Sequence, residues 1–456
     1  MQRENKTATA GCALLRIPPF PGAKISEFAV HSSRIIADPP TPQACIDAIR
    51  RLRVEGEYWR TRPQLPDSRQ RAQAAALPVE TAFANPFTGA AISLLDVIEL
   101  SGFFRAMIDS NRDLGSSLGL AFWKQATVAP LLWGGEGHLP ALRSASEARG
   151  RPVAVWKAKA PPELLAQLER DGTLLVEVED GFLRSNGLGA DCIPPLSITV
   201  DRLGAHFDPA QPSELENLLQ FGDFAPLLLA RARQLRKVIV AAGLGKYETG
   251  GAALDRLHPT KRHILVPGQV EDDRSVMTGG GGMTNLTLLE RVRADSPDAF
   301  IIYKPHPDVL AGHRKGDIPA EVCHRLADAM MPDAPISSLI DMVDAVHVNT
   351  SLAGFEALMR DTPVTAHGVP FYAGWGLTDD RGAVPPRRNA RRSLDELVAA
   401  TLLLYPRYLD PVTGLPCPAE VVVDRLSAPG TAPTGTLIAL RRLQGRVRRQ
   451  WQRVWH

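Results

Sequence analysis

From about residue 115 onward, short apolar runs alternate with segments of helical spacing, and few folds accommodate that alternation. Residues 151–156 and 172–178 read as buried strands of a parallel sheet, with helical spacing over Pro162 to Arg170 between them. A second series opens at Lys237–Ala242. It continues through His263–Pro267, Ala299–Tyr303 and Ala345–Val348, with helical stretches at Leu286–Ala294, Glu321–Ala329 and Phe355–Arg360. Strands alternating with helices predict an α/β protein whose parallel sheets carry helices on both faces. Two series predict two Rossmann-like parallel-sheet domains facing a cleft, over 111–235 and 236–395, with terminal helices at 396–430. Ligands of such sheets sit beyond the carboxyl ends of the strands.

With 456 residues the chain exceeds one ordinary core. Residues 1–110 read as a poorly organised extension, with Pro- and Arg-rich stretches such as Trp59–Pro63. Two turn-like segments resemble each other, Asn85-Pro86-Phe87-Thr88-Gly89 and Asp410-Pro411-Val412-Thr413-Gly414. They are either coincident turns or a sign that the N-terminal piece is the remnant of a preceding copy of the module. A formal charge of +2 argues against a nucleic-acid binder. Cys12, Cys45, Cys192, Cys323 and Cys417 are scattered without a CxxC pair, which favours a reducing compartment over a disulfide framework or zinc site. Met1 to Gly22 lacks the apolar run of a signal peptide, and no 18-residue apolar stretch occurs, so the expected location is the cytosol or a membrane surface facing it.

Five segments can carry chemistry. Glu179-Asp180-Gly181 leaves one strand, followed by Phe182–Ser185 and the loop Asn186–Gly189; adjacent carboxylates there can act as a base and its orienting partner, or form a solvated acidic turn. Residues 266–273 end in Glu271, Asp272 and Asp273, ahead of the glycine run 279–282 and Thr284-Asn285. A carboxylate so placed can be a nucleophile on an anomeric carbon or a metal ligand, or a loop acid in water. No GxGxxG or P-loop spacing is present. Lys304-Pro305-His306-Pro307-Asp308 ends a strongly apolar strand, with Lys304 and His306 suited to an anionic phosphate. Thr350 or Ser351 caps a helix whose first amides form an anion site. Residues 368–380 read as an ordered loop over the cleft, with Tyr372 and Trp375 as flat surfaces or as core packing.

Together these segments resemble the capsular polysaccharide biosynthesis family of the KpsC/LipB type, the retaining β-Kdo transferases. The matching strings are EDGFLRSNGLG, VPGQVEDDRSV, TNLTLLERVRADSPDAFIIYKPHPDV, VNTSLAGFEAL, GVPFYAGWGLTDD and LYPRYLDPVTGLPC, in the family's order over about 115–425. Family members commonly carry two tandem modules, and this chain resembles the second one alone. The resemblance implies a GT-B fold, transfer of Kdo from CMP-Kdo to a lipid-linked Kdo acceptor, and no metal or other cofactor. It implies Glu179 as acid/base with Asp180 in support, and Asp273, four residues after Gln269, as nucleophile ahead of Asp272. It implies His306, Lys304, Thr350, Ser351, Gln269 and Glu356 around the CMP-sugar, and Arg184 on the sugar carboxylate. Other capsule assembly proteins are implied partners. The remaining alternatives are a GT-B transferase or epimerase for another nucleotide sugar, and a non-catalytic assembly or export component.

Within the expected tail, 431–456, six arginines accompany Leu443, Val447, Trp451 and Trp455 at four-residue steps. A basic amphipathic helix of this kind suits the anionic surface of a membrane, which predicts a peripheral protein on the cytoplasmic face of the inner membrane.

Overall fold

The computed structural model describes residues 16–61, 79–185, 192–245, 253–312 and 314–428. The chain divides into two compact units. One holds Met1–Val155, Lys159–Leu175 and Tyr408–Cys417; the other holds Trp156–Ala158, Val176–Arg407 and Pro418–His456.

The first unit contradicts the expectation of a disorganised 1–110 wherever that segment is described. Strands β1 (Val30–Ile35), β2 (Thr81–Ala84) and β3 (Ala91–Ile92) form an antiparallel sheet. Helices α1 (Pro42–Leu52) and α2 (Leu94–Asn111) pack on each other. Thr41 caps α1 ahead of a helix-compatible proline, and Ser93 with Asp96 forms a capping box on α2. Gly102 on α2 lets the two helices approach closely: a Cβ there would sit 2.8 Å from a Leu52 methyl, which would have to move aside. The core joins residues far apart in sequence, Phe20 lying 5.5 Å from Phe104 and 5.1 Å from Trp133 between ring centres. Strands β4 (Ser116–Leu118) and β5 (Val153–Val155) pair in parallel. Helix α3 (Pro162–Arg170) contributes Leu168 to a core with Leu118, Val153 and Val155.

The two similar segments fold alike. Asn85 and Asp410 each accept, through the side chain, the backbone N–H groups two and three residues on. Gly89 and Gly414 each donate back to the opening residue's carbonyl, both with φ of +72°. The flanking pairs match as well, Phe83 with Ile92 and Tyr408 with Cys417.

In the second unit, β6 (Leu175–Asp180) continues from Val176 and pairs with β7 (Ser197–Asp201). That pairing is antiparallel, Glu179 facing Thr199, which corrects the expectation of an all-parallel first sheet; an unbroken apolar run reports burial, not direction. The expected strand at Lys237–Ala242 is also corrected. After α4 (Glu214–Phe221) comes α5 (Pro226–Ala241), in which Ala232, Leu235 and Ile239 are buried at helical spacing.

Six strands then build a wholly parallel sheet: β8 (His263–Pro267), β9 (Phe300–Lys304), β10 (Ala329–Met330), β11 (Ala345–Val348), β12 (Val364–Ala366) and β13 (Asp379–Asp380). Their order is β10-β9-β8-β11-β12-β13. Sequence order runs outward from β8 in one direction, then restarts at β11 on its other side, so the topological switch falls between β8 and β11. A doubly wound sheet binds its ligands there, past the strand ends. Intervening helices include α6 (Arg274–Gly279), α7 (Asn285–Asp295), α8 (Pro307–Leu310), α9 (Ala320–Leu326), α10 (Ile336–Met342) and α11 (Leu352–Met359). Ile264, Val266, Ile301 and Tyr303 meet Leu288, Leu289 and Val292 of α7 in one core.

No helix among the described residues is long and apolar enough to cross a membrane. The amphipathic tail expected at 431–456 and the loop Asn186–Gly189 lie outside the described residues.

Candidate functional site

A cavity of about 330 Å³ opens at the ends of β6, β8, β9 and β11. All its lining residues belong to the second unit, and they come from both stretches expected to face a cleft: Glu179 to Phe182, His206 and Phe207 from 111–235, and the rest from 236–395.

Past β8 the chain turns through Gly268, where a Cβ would lie 2.6 Å from the Tyr303 hydroxyl, so a larger residue would have to displace the buried Tyr303 ring. Gln269 follows and spans the switch point. Its Oε1 accepts the Thr350 N–H (2.8 Å) and its Nε2 donates to Thr350 Oγ1 (3.0 Å). Asn285 at the start of α7 holds Gln269 from behind, accepting its N–H and donating to its carbonyl and to that of Gly316. Asp273 caps α6, its carboxylate accepting from the Ser275 N–H (3.0 Å) and hydroxyl (2.7 Å).

At the end of β9, Lys304 is buried, its Nζ donating to the Pro332 carbonyl (3.1 Å). His306 caps α8 by accepting the Asp308 N–H on Nδ1 (3.1 Å), which leaves the ring proton of the neutral imidazole on Nε2. At the end of β11, Ser351 caps α11 through the Ala353 N–H (3.2 Å), and Glu356 projects from the same helix.

At the end of β6, Glu179 and Asp180 enter the cavity lining, and Gly181 follows because a Cβ would meet Ser197 Oγ at 2.2 Å. Arg274 Nη1 stands 2.7 Å from Glu179 and 2.5 Å from the buried Glu177, which also takes Lys157 at 3.0 Å. Burial alone would lower the Arg274 guanidinium, but the two glutamates outweigh it and raise it above its ordinary value. Its Cζ lies 5.0 Å from the centre of the Phe207 ring. Phe182, His206 and Phe371 form an aromatic wall, Phe182 lying 4.9 Å from His206 and 4.8 Å from Phe371.

Of the residues singled out in the sequence, Glu179, Asp180, Gln269, Asp273, Lys304, His306, Thr350, Ser351 and Glu356 line this cavity. Four others, Arg184, Tyr372, Trp375 and Asp272, do not, and their expected roles are corrected. Arg184 is 1% exposed and committed inward, to Asp180 (2.9 Å), Ser185 Oγ and the Ile193 carbonyl. Tyr372 and Trp375 are fully buried rather than flat surfaces over a cleft. The Tyr372 hydroxyl donates to the Ser351 carbonyl (2.5 Å) and the Trp375 indole to the Phe371 carbonyl (2.9 Å). Tyr372 also explains Gly354, since a Cβ there would lie 2.2 Å from its hydroxyl. Asp272 stands outside the lining, paired with Arg314 at 3.1 Å; burial pushes its carboxyl up, but Arg314 outweighs this and holds it below its ordinary value. Arg274 and the aromatic wall were not singled out in the sequence, although Arg274 adjoins Asp273 and Phe182 follows the acidic pair.

The Lys304 ammonium, the Nε2–H of His306 and the N-terminus of α11 therefore face a shared space with carboxylates on separate walls. The first group suits a phosphate and the second suits attack on, and proton removal beside, an electrophilic carbon.

A family model described as "Capsule polysaccharide biosynthesis protein" matches residues 152–251 and 237–408. The capsule polysaccharide modification protein LipA of Neisseria meningitidis serogroup A is 36% identical over 382 residues, which are 81% of this chain and 53% of LipA. The lipopolysaccharide-processing protein LpsZ of Rhizobium meliloti is 48% identical over 240 residues, 51% of this chain and 54% of LpsZ. The chain thus spans about half the length of these curated relatives. Among solved structures, the β-Kdo 2,4 transferase of Thermosulfurimonas dismutans KpsC superposes with a TM-score of 0.61 at 31% identity, covering 70% of this chain and 98% of that one. The β-Kdo 2,7 transferase of the same KpsC gives 0.56 at 33% identity, with 69% and 98% covered. With a family model matched over more than half its length and a parallel α/β sheet similar to those transferases, the chain belongs to the capsule polysaccharide biosynthesis protein family.

Proposed function

We propose that the protein is a retaining β-Kdo glycosyltransferase that moves Kdo from CMP-Kdo onto a Kdo-primed, phosphatidylglycerol-type lipid acceptor during capsular polysaccharide synthesis. The observation that carries this reading is the meeting of Glu179, Asp273, Lys304 and His306 in one cavity beside the sheet's switch point. The similarity to two Kdo transferases supports it. The reading includes a GT-B arrangement, requires no metal, and has the protein work at the cytoplasmic face of the inner membrane.

Lys304, His306 and the amides following Ser351 receive the CMP phosphate and stabilise its negative charge as it departs. Gln269 and Thr350, locked together, hold the two strand ends at fixed spacing around it. Asp273 attacks the anomeric carbon; the bond to the phosphate oxygen breaks and CMP leaves with the electron pair. Glu179 then takes the proton of the acceptor hydroxyl, whose oxygen bonds to the anomeric carbon as the bond to Asp273 breaks. Two inversions leave the anomeric configuration retained.

The test is incubation of the protein with CMP-Kdo and a synthetic Kdo-primed acceptor, with the product linkage determined by NMR. A Glu179→Gln variant given donor alone should accumulate a sugar ester on the peptide containing Asp273, seen by mass spectrometry. CMP release only from another nucleotide sugar, or an adduct on any other residue, would remove the proposal.

A further inference from the structure

Glu179 does not enter the cavity alone. The alternation of β6 puts Glu177 and Glu179 on one face of the strand, two carboxylates side by side. Arg274 Nη1 bridges them, at 2.5 Å from Glu177 and 2.7 Å from Glu179, while Lys157 meets the other oxygen of Glu177 at 3.0 Å. The cluster holds two anions and two cations. Removing Arg274 would take away the cation that lies between two neighbouring carboxylates and leave Lys157 on Glu177, a change that favours protonation of one of the pair.

We propose that Arg274 is a positioning residue that holds Glu179 as a carboxylate, making it a base for the second half of the transfer rather than an acid for the first. This rests on the function proposed above and deepens it. A phosphate leaves as a stable anion and asks for no proton, so the first displacement has no use for a protonated Glu179. The second displacement does need a base: the acceptor O–H proton passes to Glu179, the acceptor oxygen bonds to the anomeric carbon, and Asp273 recovers its electron pair. Arg274 follows Asp273 directly and grips the strand bearing Glu179, so a single residue also ties the nucleophile's helix to the base's strand. The other titratable groups near Glu179 are Glu177 and Asp180 on its own strand, with His206, Asp273, Lys304, His306, Asp308, Arg314 and Glu356 in the cavity lining.

The experiment follows two rates across pH 5 to 9 at fixed ionic strength, in the full-length wild type, Arg274→Gln and Arg274→Lys. One is sugar-ester formation from CMP-Kdo alone, read by quenched intact mass; the other is transfer to the Kdo-primed acceptor. Arg274→Gln should lose transfer by about tenfold or more near pH 6, and by a larger factor than it loses ester formation. The deficit should close as pH rises, the acid limb of its transfer profile moving up by about one unit or more. Arg274→Lys, which keeps a cation, should show a smaller displacement, and it carries the test if the glutamine variant does not fold. An unmoved acid limb, or ester formation and transfer falling in step at every pH, overturns the role of Arg274. Absence of any ester in the wild type overturns the double displacement beneath it, a result separate from the other two.

Discussion

Replacing Gln269 by leucine probes the link on which the site's shape depends. The substitution keeps roughly the same volume and removes two buried hydrogen bonds, from the Thr350 N–H at 2.8 Å and to Thr350 Oγ1 at 3.0 Å. Gln269 is 8% exposed and Thr350 9%, so neither is replaced by bulk solvent. Each such bond contributes about 1 kcal/mol net, and an orphaned buried N–H costs a further 1–3 kcal/mol or so. Cavity water can reach the Thr350 amide, since both residues line the cavity, which places the loss at the lower end, about 2 kcal/mol. In a unit of this size that lowers Tm by roughly 4–8 °C. Gln269→Glu separates stability from binding. It still offers an oxygen to the Thr350 N–H and another to the Thr350 hydroxyl, but places a negative charge where the CMP phosphate is proposed to lie. Thermal melts should therefore put the glutamate variant close to wild type, while its KM for CMP-Kdo rises at least about tenfold. A leucine variant melting within 1 °C of wild type would refute the link. So would a glutamate variant as thermally damaged as the leucine one.

Asp273→Asn should reduce transfer about a thousandfold, roughly 4 kcal/mol of barrier, whereas Asp272→Asn, losing an exposed pair with Arg314 outside the cavity lining, should stay within about fivefold in the same assay. Equal losses would exchange or dissolve the two roles. A pH dependence of stability follows from His347, whose Nδ1 lies 3.2 Å from Nε2 of His367 at the β11–β12 pairing. Burial, then the neighbouring His367, pushes its pKa down to about 4. Above pH 6.5 the ring is neutral folded or unfolded and no stability is at stake. As pH falls from 6.5 toward 4 the unfolded chain takes up a proton that the folded one refuses. Stability drops across that window by on the order of 3 kcal/mol. His347→Gln should flatten the fall of Tm between pH 7 and 4.5, and an equally steep fall in the variant would show that the ring is not responsible.

The parts of the fold that were legible in the sequence are those where one short segment carries the whole signal. His263–Pro267, Phe300–Lys304 and Ala345–Val348 are continuous apolar runs bounded by turn residues, and each is a buried strand of the parallel sheet. Lys237–Ala242 carries the same composition and is helical. Its burial partners, Ala232 and Leu235, lie upstream of the window that looked strand-like. The N-terminal unit was illegible for a related reason: Phe20, Phe104 and Trp133 make one core from three distant segments, and no local window contains that information.

The site divides along the same line. Polar residues placed at or just past a strand end, as Lys304, Gln269, His306 and Thr350 are, reach the cavity because the sheet delivers strand ends to one edge. Arg184, Tyr372 and Trp375 share the chemistry of ligand-binding residues, yet each turns inward, because backbone carbonyls nearby need donors: Ile193 takes Arg184, Ser351 takes Tyr372, Phe371 takes Trp375. Whether such a side chain serves a ligand or the backbone is decided by contacts that a linear sequence leaves open. Arg274 is the converse. It looks like one more surface arginine opening a short helix, and only when Glu179, 95 residues earlier in the chain, arrives beside it does its charge acquire a use. Glu177 enters at the same moment, since strand alternation places it beside Glu179, and the pair makes a cation between them necessary rather than incidental. The acidic motif and the residue that governs its protonation are thus written in separate parts of the chain, and their coupling exists only in the fold.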